Sequence, residues 1–273
     1  MDHTNKSNGD LAIAAPGQTG FQWLVFDAVG TLIRPEPSVS AAYHAVAARH
    51  GSRLSLEETS SRFKAAFQAS ELRDVSPCAA KSSAAIGSQM TATVRMTSEA
   101  LERERWRWIV RTVVDDLEDV EPCYLELFDH FARTESWRCF DDVPVMLPRL
   151  AEAGYRLAIA SNFDDRLNGL VRGLSALASV ERSIVSSLVG FRKPSREFYR
   201  VLLQELDCRP TDVLMVGDDL ENDVIGARQA GLSALLLRRI GTESIEENEI
   251  VSLDELPQWL GARLAERRTP TAN

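Results

Sequence analysis

Four short apolar runs, "FQWLVFD" (21–27), "YRLAIAS" (155–161), "DVLMVGD" (212–218) and "LSALLL" (232–237), constrain this chain more than any other feature. Each is too short for an ordinary helix and is nearly continuous in apolar residues, as expected of strands buried on both faces. A weaker fifth run, "SIVSSLV" (183–189), fits the same reading. Between the runs lie helical patterns: "DVPVMLPRLAEAG", "DDRLNGLVRGL", "SREFYRVLLQELD" and "NDVIGARQAG". The first and last of these end at Gly154 and Gly231, where a left-handed residue closes a helix. Strand alternating with helix implies an α/β fold, a Rossmann-like parallel sheet with helices on both faces, whose ligands bind at the carboxyl ends of the strands. Polar residues collect at those ends. Asp27 closes the first run, Ser161 and Asn162 follow the second, and Asp218 and Asp219 follow the run at 212–217.

The alternation stops between residues 36 and 140, where amphipathic helical patterns replace strands, so an all-helical domain is inserted into the sheet domain. Val39, Tyr43, Val46, Ala47 and His50 mark one helix face. Ser55 and Glu58 have the spacing of a capping box that opens a second helix carrying Phe63 and Phe67. Trp106, Ile109, Val110, Val113, Val114 and Leu117 mark a third within "EALERERWRWIVRTVVDDL". The Ser-, Ala- and Thr-rich stretch at 76–96 has no clear period and reads as a loop with some helical content. The expected organisation is therefore a tail at 1–20, a core at 21–35 and 141–264, the helical insertion at 36–140, and a second tail at 265–273.

With 40 acidic against 31 basic side chains the chain carries a formal charge of −9, which disfavours a nucleic-acid backbone as partner. No apolar run reaches the roughly 20 residues that span a bilayer. Cys78, Cys123, Cys139 and Cys208 lack zinc-site spacing, and the opening stretch lacks the basic start and apolar segment of a secretory signal, so a cytoplasmic protein with reduced thiols is expected. His44, His50 and His130 are scattered and suggest no metal site. Arg103, Arg107 and Arg111 share a helix face beside Trp108. They read as a solvated face paired with Glu104 and Asp115 in preference to an anion site.

The chemistry lies at the strand ends. Asp27 is followed by Gly30 and Thr31, which let backbone amides and a hydroxyl approach a ligand closely. Ser161 adds a hydroxyl, Lys193 a positive charge, and Asp218, Asp219 and Asp223 three carboxylates. Carboxylates crowded at one edge repel one another unless a hard cation such as Mg²⁺ lies among them. A lysine and hydroxyls beside that cation suit a phosphate group.

In order along the chain, "DAVGTL", "ASN", "RKP" and "GDDLEND" resemble the four motifs of the haloacid dehalogenase superfamily. The resemblance implies a Mg²⁺-dependent hydrolase acting on a small phosphorylated metabolite. Asp27 would be the nucleophile, forming an aspartyl-phosphate that water then hydrolyses. Asp27, the backbone carbonyl of Val29 and Asp218 would hold the metal. Thr31, Ser161, Asn162 and Lys193 would bind phosphoryl oxygens, and Asp219 and Asp223 would support them, with Asp223 orienting Lys193 or a metal-bound water. The helical insertion would be a cap that selects the substrate.

Position 29 departs from the phosphatase pattern, in which a second aspartate protonates the leaving group and later activates water. A missing general acid/base typically costs about 10²- to 10⁴-fold in rate. An apolar residue there also occurs in the dehalogenases, but those typically carry serine where this chain has Asp218. Phosphonoacetaldehyde hydrolases need a cap lysine, and neither Lys64 nor Lys81 has a recognisable context for that role. A non-catalytic module that binds Mg²⁺ and phosphate is the remaining alternative. The insertion names no substrate, and the oligomeric state is not legible.

Overall fold

A computed structural model describes residues 12–73, 95–239 and 248–268. In chain order its strands are β1 (Trp23–Phe26), β2 (Ile33–Pro35), β3 (Trp137–Cys139), β4 (Arg156–Ser161), β5 (Arg182–Val185), β6 (Val213–Gly217), β7 (Ser233–Leu237) and β8 (Glu249–Ile250). Six form one sheet in the order β5-β4-β1-β6-β7-β8, with every pair parallel. In β1, Trp23 and Val25 pack on one face with Ala158, Met215, Phe198 and Leu202. Leu24 and Phe26 pack on the other with Leu157, Leu214, Leu147 and Leu150. A strand covered on both sides needs apolar residues at successive positions, which is why these runs are continuous.

The four strong strand expectations hold, and the sheet gains β8, a two-residue edge strand too short to mark itself in the sequence. The fifth run is corrected: β5 ends at Val185, and α-helix follows over Ser186–Val189. The serines make the difference, because Ser186 Oγ donates to the Phe163 carbonyl at 3.1 Å instead of continuing an apolar face.

The expected tail at 1–20 is also corrected where it is described. α1 (Pro16–Thr19) closes at Gly20, with φ of 85°. Thr19 Oγ1 lies 3.0 Å from Tyr155 Oη, which donates to the Ala14 carbonyl at 2.6 Å and so fastens this segment to the core. Residues 1–11 lie outside the described part of the chain.

Helices α2 (Val39–Arg49), α3 (Leu56–Arg73), α4 (Glu99–Val113) and α5 (Glu121–His130) lie between β2 and β3, which pair as an antiparallel ribbon. Tyr43, Val46, Ile109, Val113, Tyr124 and Leu127 give this helical insertion its own buried cluster. The capping box forms reciprocally: Glu58 N donates to Ser55 Oγ (3.2 Å) and Ser55 N to Glu58 Oε2 (2.8 Å). α4 ends at Val113, short of the expected Leu117. Asp115 and Asp116 there would oppose the helix dipole, and Asp116 instead accepts from Ser52 Oγ (2.9 Å) and Arg53 N (2.7 Å). α5 was not anticipated. The expected loop at 76–96 falls almost wholly outside the described residues.

The core helices are α6 (Val143–Glu152), α7 (Arg166–Gly173), α8 (Ser186–Val189), α9 (Arg196–Leu206), α10 (Gly226–Gln229) and α11 (Leu256–Arg268). α11 continues to Arg268, so the expected tail at 265–273 begins as helix. Ahead of α10, Leu220–Ile225 forms a wide π-helical turn where an ordinary helix was expected. Among the described residues, no helix is long and apolar enough to cross a membrane.

Leu24 is fully buried at the centre of the sheet, beside Leu157 on β4 and Leu214 on β6. Leu24→Ala should lower unfolding free energy in urea by about 2–5 kcal/mol; a loss below about 1 kcal/mol would contradict this packing.

Candidate active site

From β1 the chain passes to β4 and β5 on one side, then returns to β6, β7 and β8 on the other. The carboxyl ends of β4, β1 and β6 therefore frame the crevice where an α/β sheet changes direction. Asp27 follows β1, Ser161 ends β4, and Asp218 follows β6.

Lys193, from the loop between α8 and α9, reaches beneath these ends and is 1% exposed. Its Nζ donates to Asp27 Oδ1 (2.7 Å), Asp223 Oδ1 (2.6 Å) and the Ala160 carbonyl (2.7 Å). All three ammonium protons thus have acceptors. Asn162 fixes the lysine's backbone from both sides: Lys193 N donates to Asn162 Oδ1 (2.8 Å), and Asn162 Nδ2 donates to the Lys193 carbonyl (3.0 Å). The side chain expected to bind phosphate therefore positions the lysine, although Asn162 still lines the cleft.

Thr31, expected to bind phosphate, has a buried side chain whose Oγ1 donates to Asp218 Oδ1 at 2.9 Å and so orients that carboxylate. Gly30 has φ of 92°, and a Cβ there would overlap the Asp218 carboxylate. Asp219 caps the wide turn, with Oδ1 accepting from Glu221 N (2.9 Å) and Asn222 N (2.8 Å). Its own backbone N–H donates to Asp223 Oδ2 at 3.1 Å. Ser161 and Val29 both line the cleft beside Asp27.

Asp27, Asp218 and Asp223 offer carboxylate oxygens that all lie within 4.8 Å of one another. A set of hard oxygen donors on a glycine-cleared floor suits Mg²⁺. Asp223, one of the carboxylates expected to crowd this edge, belongs to the cluster, although the family resemblance gives it a supporting role.

The electrostatics follow from crowding. Burial alone would lower the Lys193 ammonium, but the charges of Asp223 and Asp27 outweigh it and hold the group above the ordinary lysine range. Burial pushes Asp223 upward, and the Lys193 charge offsets only part of that, because Asp27 adds its own repulsion. Asp218 keeps contact with solvent at the cleft, yet the protein enclosing it and then the Asp27 charge push its carboxyl up to about 6.

Above this floor lies a cavity of about 410 Å³, roofed by the helical insertion. Tyr43, Phe63, Phe67 and Trp106 line its upper part, with Phe163 nearer the floor. In the sequence these aromatics are indistinguishable from core stripes; the available signals were Phe163 directly after "ASN" and the four-residue spacing of Phe63 and Phe67. Arg107 pairs with Glu104 (2.5 Å) as expected, and also with Glu121 (3.0 Å), whereas Asp115 pairs with Arg62. It is Arg105, from the other side of α4, that lines the cavity.

Between about pH 4 and 6 the folded chain holds a proton on Asp218 that the unfolded chain has released, so this group costs stability as pH rises through that window. In metal-free buffer, Asp218→Asn should therefore make the change of urea stability with rising pH across that window more positive than in the wild type. An unchanged slope would contradict the crowding at this carboxylate.

A haloacid dehalogenase-like hydrolase family model matches residues 21–231. The chain is 24% identical over 249 residues to haloacid dehalogenase-like hydrolase domain-containing protein 3 of Danio rerio, covering 88% of this chain and 96% of that one. It is 30% identical over 129 residues to a glyceraldehyde 3-phosphate phosphatase of Methanothermobacter thermautotrophicus, covering 44% of this chain and 57% of that one. In fold it is similar to the L-2-haloacid dehalogenase of Xanthobacter autotrophicus, with a TM-score of 0.64 and 19% identity, covering 88% of this chain and 98% of that one. The proteins it resembles thus include a phosphatase and a dehalogenase, and the extent of the family match places this chain within the haloacid dehalogenase-like hydrolases.

Proposed function

We propose that the protein is a Mg²⁺-dependent phosphohydrolase that acts on a small phosphate ester through Asp27. The observation that carries this reading is the cluster of Asp27, Asp218 and Asp223 on the floor of one cleft, with Asp27 and Asp223 bonded to the ammonium of Lys193. An Asp27 oxygen attacks phosphorus, the ester P–O bond breaks toward the alcohol, and water then cleaves the acyl-phosphate to restore the carboxylate and release phosphate. Lys193 holds Asp27 in place and offsets negative charge on the phosphoryl oxygens, and Ser161 stands at the cleft wall to donate to them. Thr31 orients Asp218, and Asp223 anchors Lys193. Asp27, Asp218 and the backbone carbonyl of Val29 would hold Mg²⁺, with Asp223 close by. When bound, the cation supplies Lewis-acid stabilisation of the phosphoryl group and offsets the repulsion between nucleophile and substrate. The likeness to a glyceraldehyde 3-phosphate phosphatase supports phosphoryl chemistry without extending to that substrate.

Val29 favours a second reading, a module that binds Mg²⁺ and phosphate with little turnover, because valine cannot move the proton that the departing alcohol needs. An acidic residue at position 218 argues against dehalogenation, which has no use for a cation site.

Asp27→Asn should abolish Mg²⁺-dependent phosphate release, and an unchanged rate would remove the covalent mechanism. Val29→Asp should raise kcat on esters of poor leaving groups by about 100-fold or more, the lower side of what a general acid contributes. No gain would show that another group already supplies the proton.

A further inference from the structure

The cavity above Asp27 divides into two chemically different parts. Its floor holds the charged groups already described. Its upper part is lined mainly by aromatic side chains: Tyr43 from α2, Phe63 and Phe67 from α3, Trp106 from α4, Phe128 from α5 and Phe131 just beyond α5. These rings also pack on one another, with Tyr43 and Phe63 centroids 5.0 Å apart and Phe63 and Phe67 centroids 5.9 Å apart. They form a wall of paired rings.

The charged side chains that share this upper part are committed to one another. Arg166 donates twice to the buried Asp164, at 2.7 Å each, and lies 3.8 Å over the Phe128 ring. Arg105 donates to Ser70 Oγ (2.9 Å) and to Glu71, and lies over the Phe67 ring. Arg192 donates to Glu102 (2.7 Å) and Glu71 (3.0 Å). A sugar or polyol entering this space would exchange water hydrogen bonds for contact with aromatic and aliphatic side chains. That desolvation penalty does not arise for an apolar group.

Resting on the phosphohydrolase reading, we propose that the alcohol portion of the substrate is an apolar, ring-bearing group seated among Tyr43, Phe63, Phe67 and Trp106. The substrate class is then aryl or arylalkyl monophosphate esters, in preference to sugar or polyol phosphates. The phosphate lies on the Asp27 floor while the ring stacks on the aromatic wall, and the volume of about 410 Å³ accommodates one bicyclic or smaller group beside the phosphate. One methylene in an apolar pocket is worth about tenfold or more in kcat/KM, so a whole ring should exceed that.

The test compares 2-phenylethyl phosphate with glycerol 3-phosphate, whose primary alcohol leaving groups are chemically similar, in the presence of Mg²⁺. Binding of the non-hydrolysable 3-phenylpropylphosphonate and 3,4-dihydroxybutylphosphonate is measured by calorimetry on the same preparation. The phenyl members should show at least about tenfold higher kcat/KM and tighter binding. Trp106→Ala and Phe67→Ala should each erode that preference while leaving competition by inorganic phosphate unchanged. Should either variant misfold, the wild-type comparison still decides. Equal use of both esters, or preference for the polyol, overturns the substrate assignment and leaves the phosphohydrolase reading intact. Failure of the wild type to turn over either ester and to bind either phosphonate with Mg²⁺ overturns the phosphohydrolase reading, and this inference with it.

Discussion

The ammonium of Lys193 is the interaction on which the site depends. It is buried between Asp27 and Asp223 and donates to the Ala160 carbonyl, so a single side chain ties the ends of β1 and β4 to the wide turn after β6. Two carboxylates this close and this deeply buried repel each other strongly without a cation between them. Removing one partner from such a buried set typically costs about 3–5 kcal/mol. The arrangement is also permissive for chemistry: Lys193 fixes Asp27 by one oxygen, and the neighbouring Asp218 carboxylate, held by Thr31, completes an anionic floor suited to a hard cation.

The loop that carries Lys193 is joined to the helical insertion as well as to the sheet. Met96 and Phe191 form an antiparallel bridge, Arg192 N donates to the Arg95 carbonyl at 2.9 Å, and Thr97 N donates to the Gly190 carbonyl at 3.0 Å. The buried Arg192 side chain reaches Glu102 on α4 and Glu71 on α3. At the start of α4, Glu99 accepts from Asp165 N at 2.9 Å and from Ser187 Oγ. The roof of the cavity and the residue beside Lys193 are therefore parts of one hydrogen-bonded assembly. A shift of α3 and α4 would be felt one residue from Lys193, which links the aromatic chamber to the chemistry beneath it.

Much of this was legible in the sequence, for identifiable reasons. Parallel strands covered on both faces require unbroken apolar runs, so β1, β4, β6 and β7 announce themselves, and the polar residues that end them mark the crevice. Ser55 and Glu58 form the capping box that their spacing indicates. The failures are those of direction and distance. Nothing local distinguishes a Thr31 hydroxyl that meets a ligand from one that turns to Asp218, a residue 187 positions away. Asn162 reads as a polar strand-end residue, and only tertiary contact reveals that both its amide atoms hold the backbone of Lys193. Tyr43, Phe63 and Trp106 recur at helical spacing whether they pack against another helix or face a cavity. The helix at Glu121–His130 was missed because it lasts only 10 residues and the exposed Leu125 blurs the apolar stripe of Cys123, Tyr124 and Leu127.

In the proposed reaction Asp27, held by Lys193, becomes phosphorylated. The most direct measurement is to mix the enzyme and Mg²⁺ with a ³²P-labelled phosphate ester, quench in acid within the first turnover, and locate the label by peptide mapping. An acid-stable, base-labile label should appear on the peptide containing Asp27, form only with Mg²⁺ and decay as phosphate is released. Label on another residue, or phosphate release with no labelled enzyme at any time, would contradict the proposed reaction.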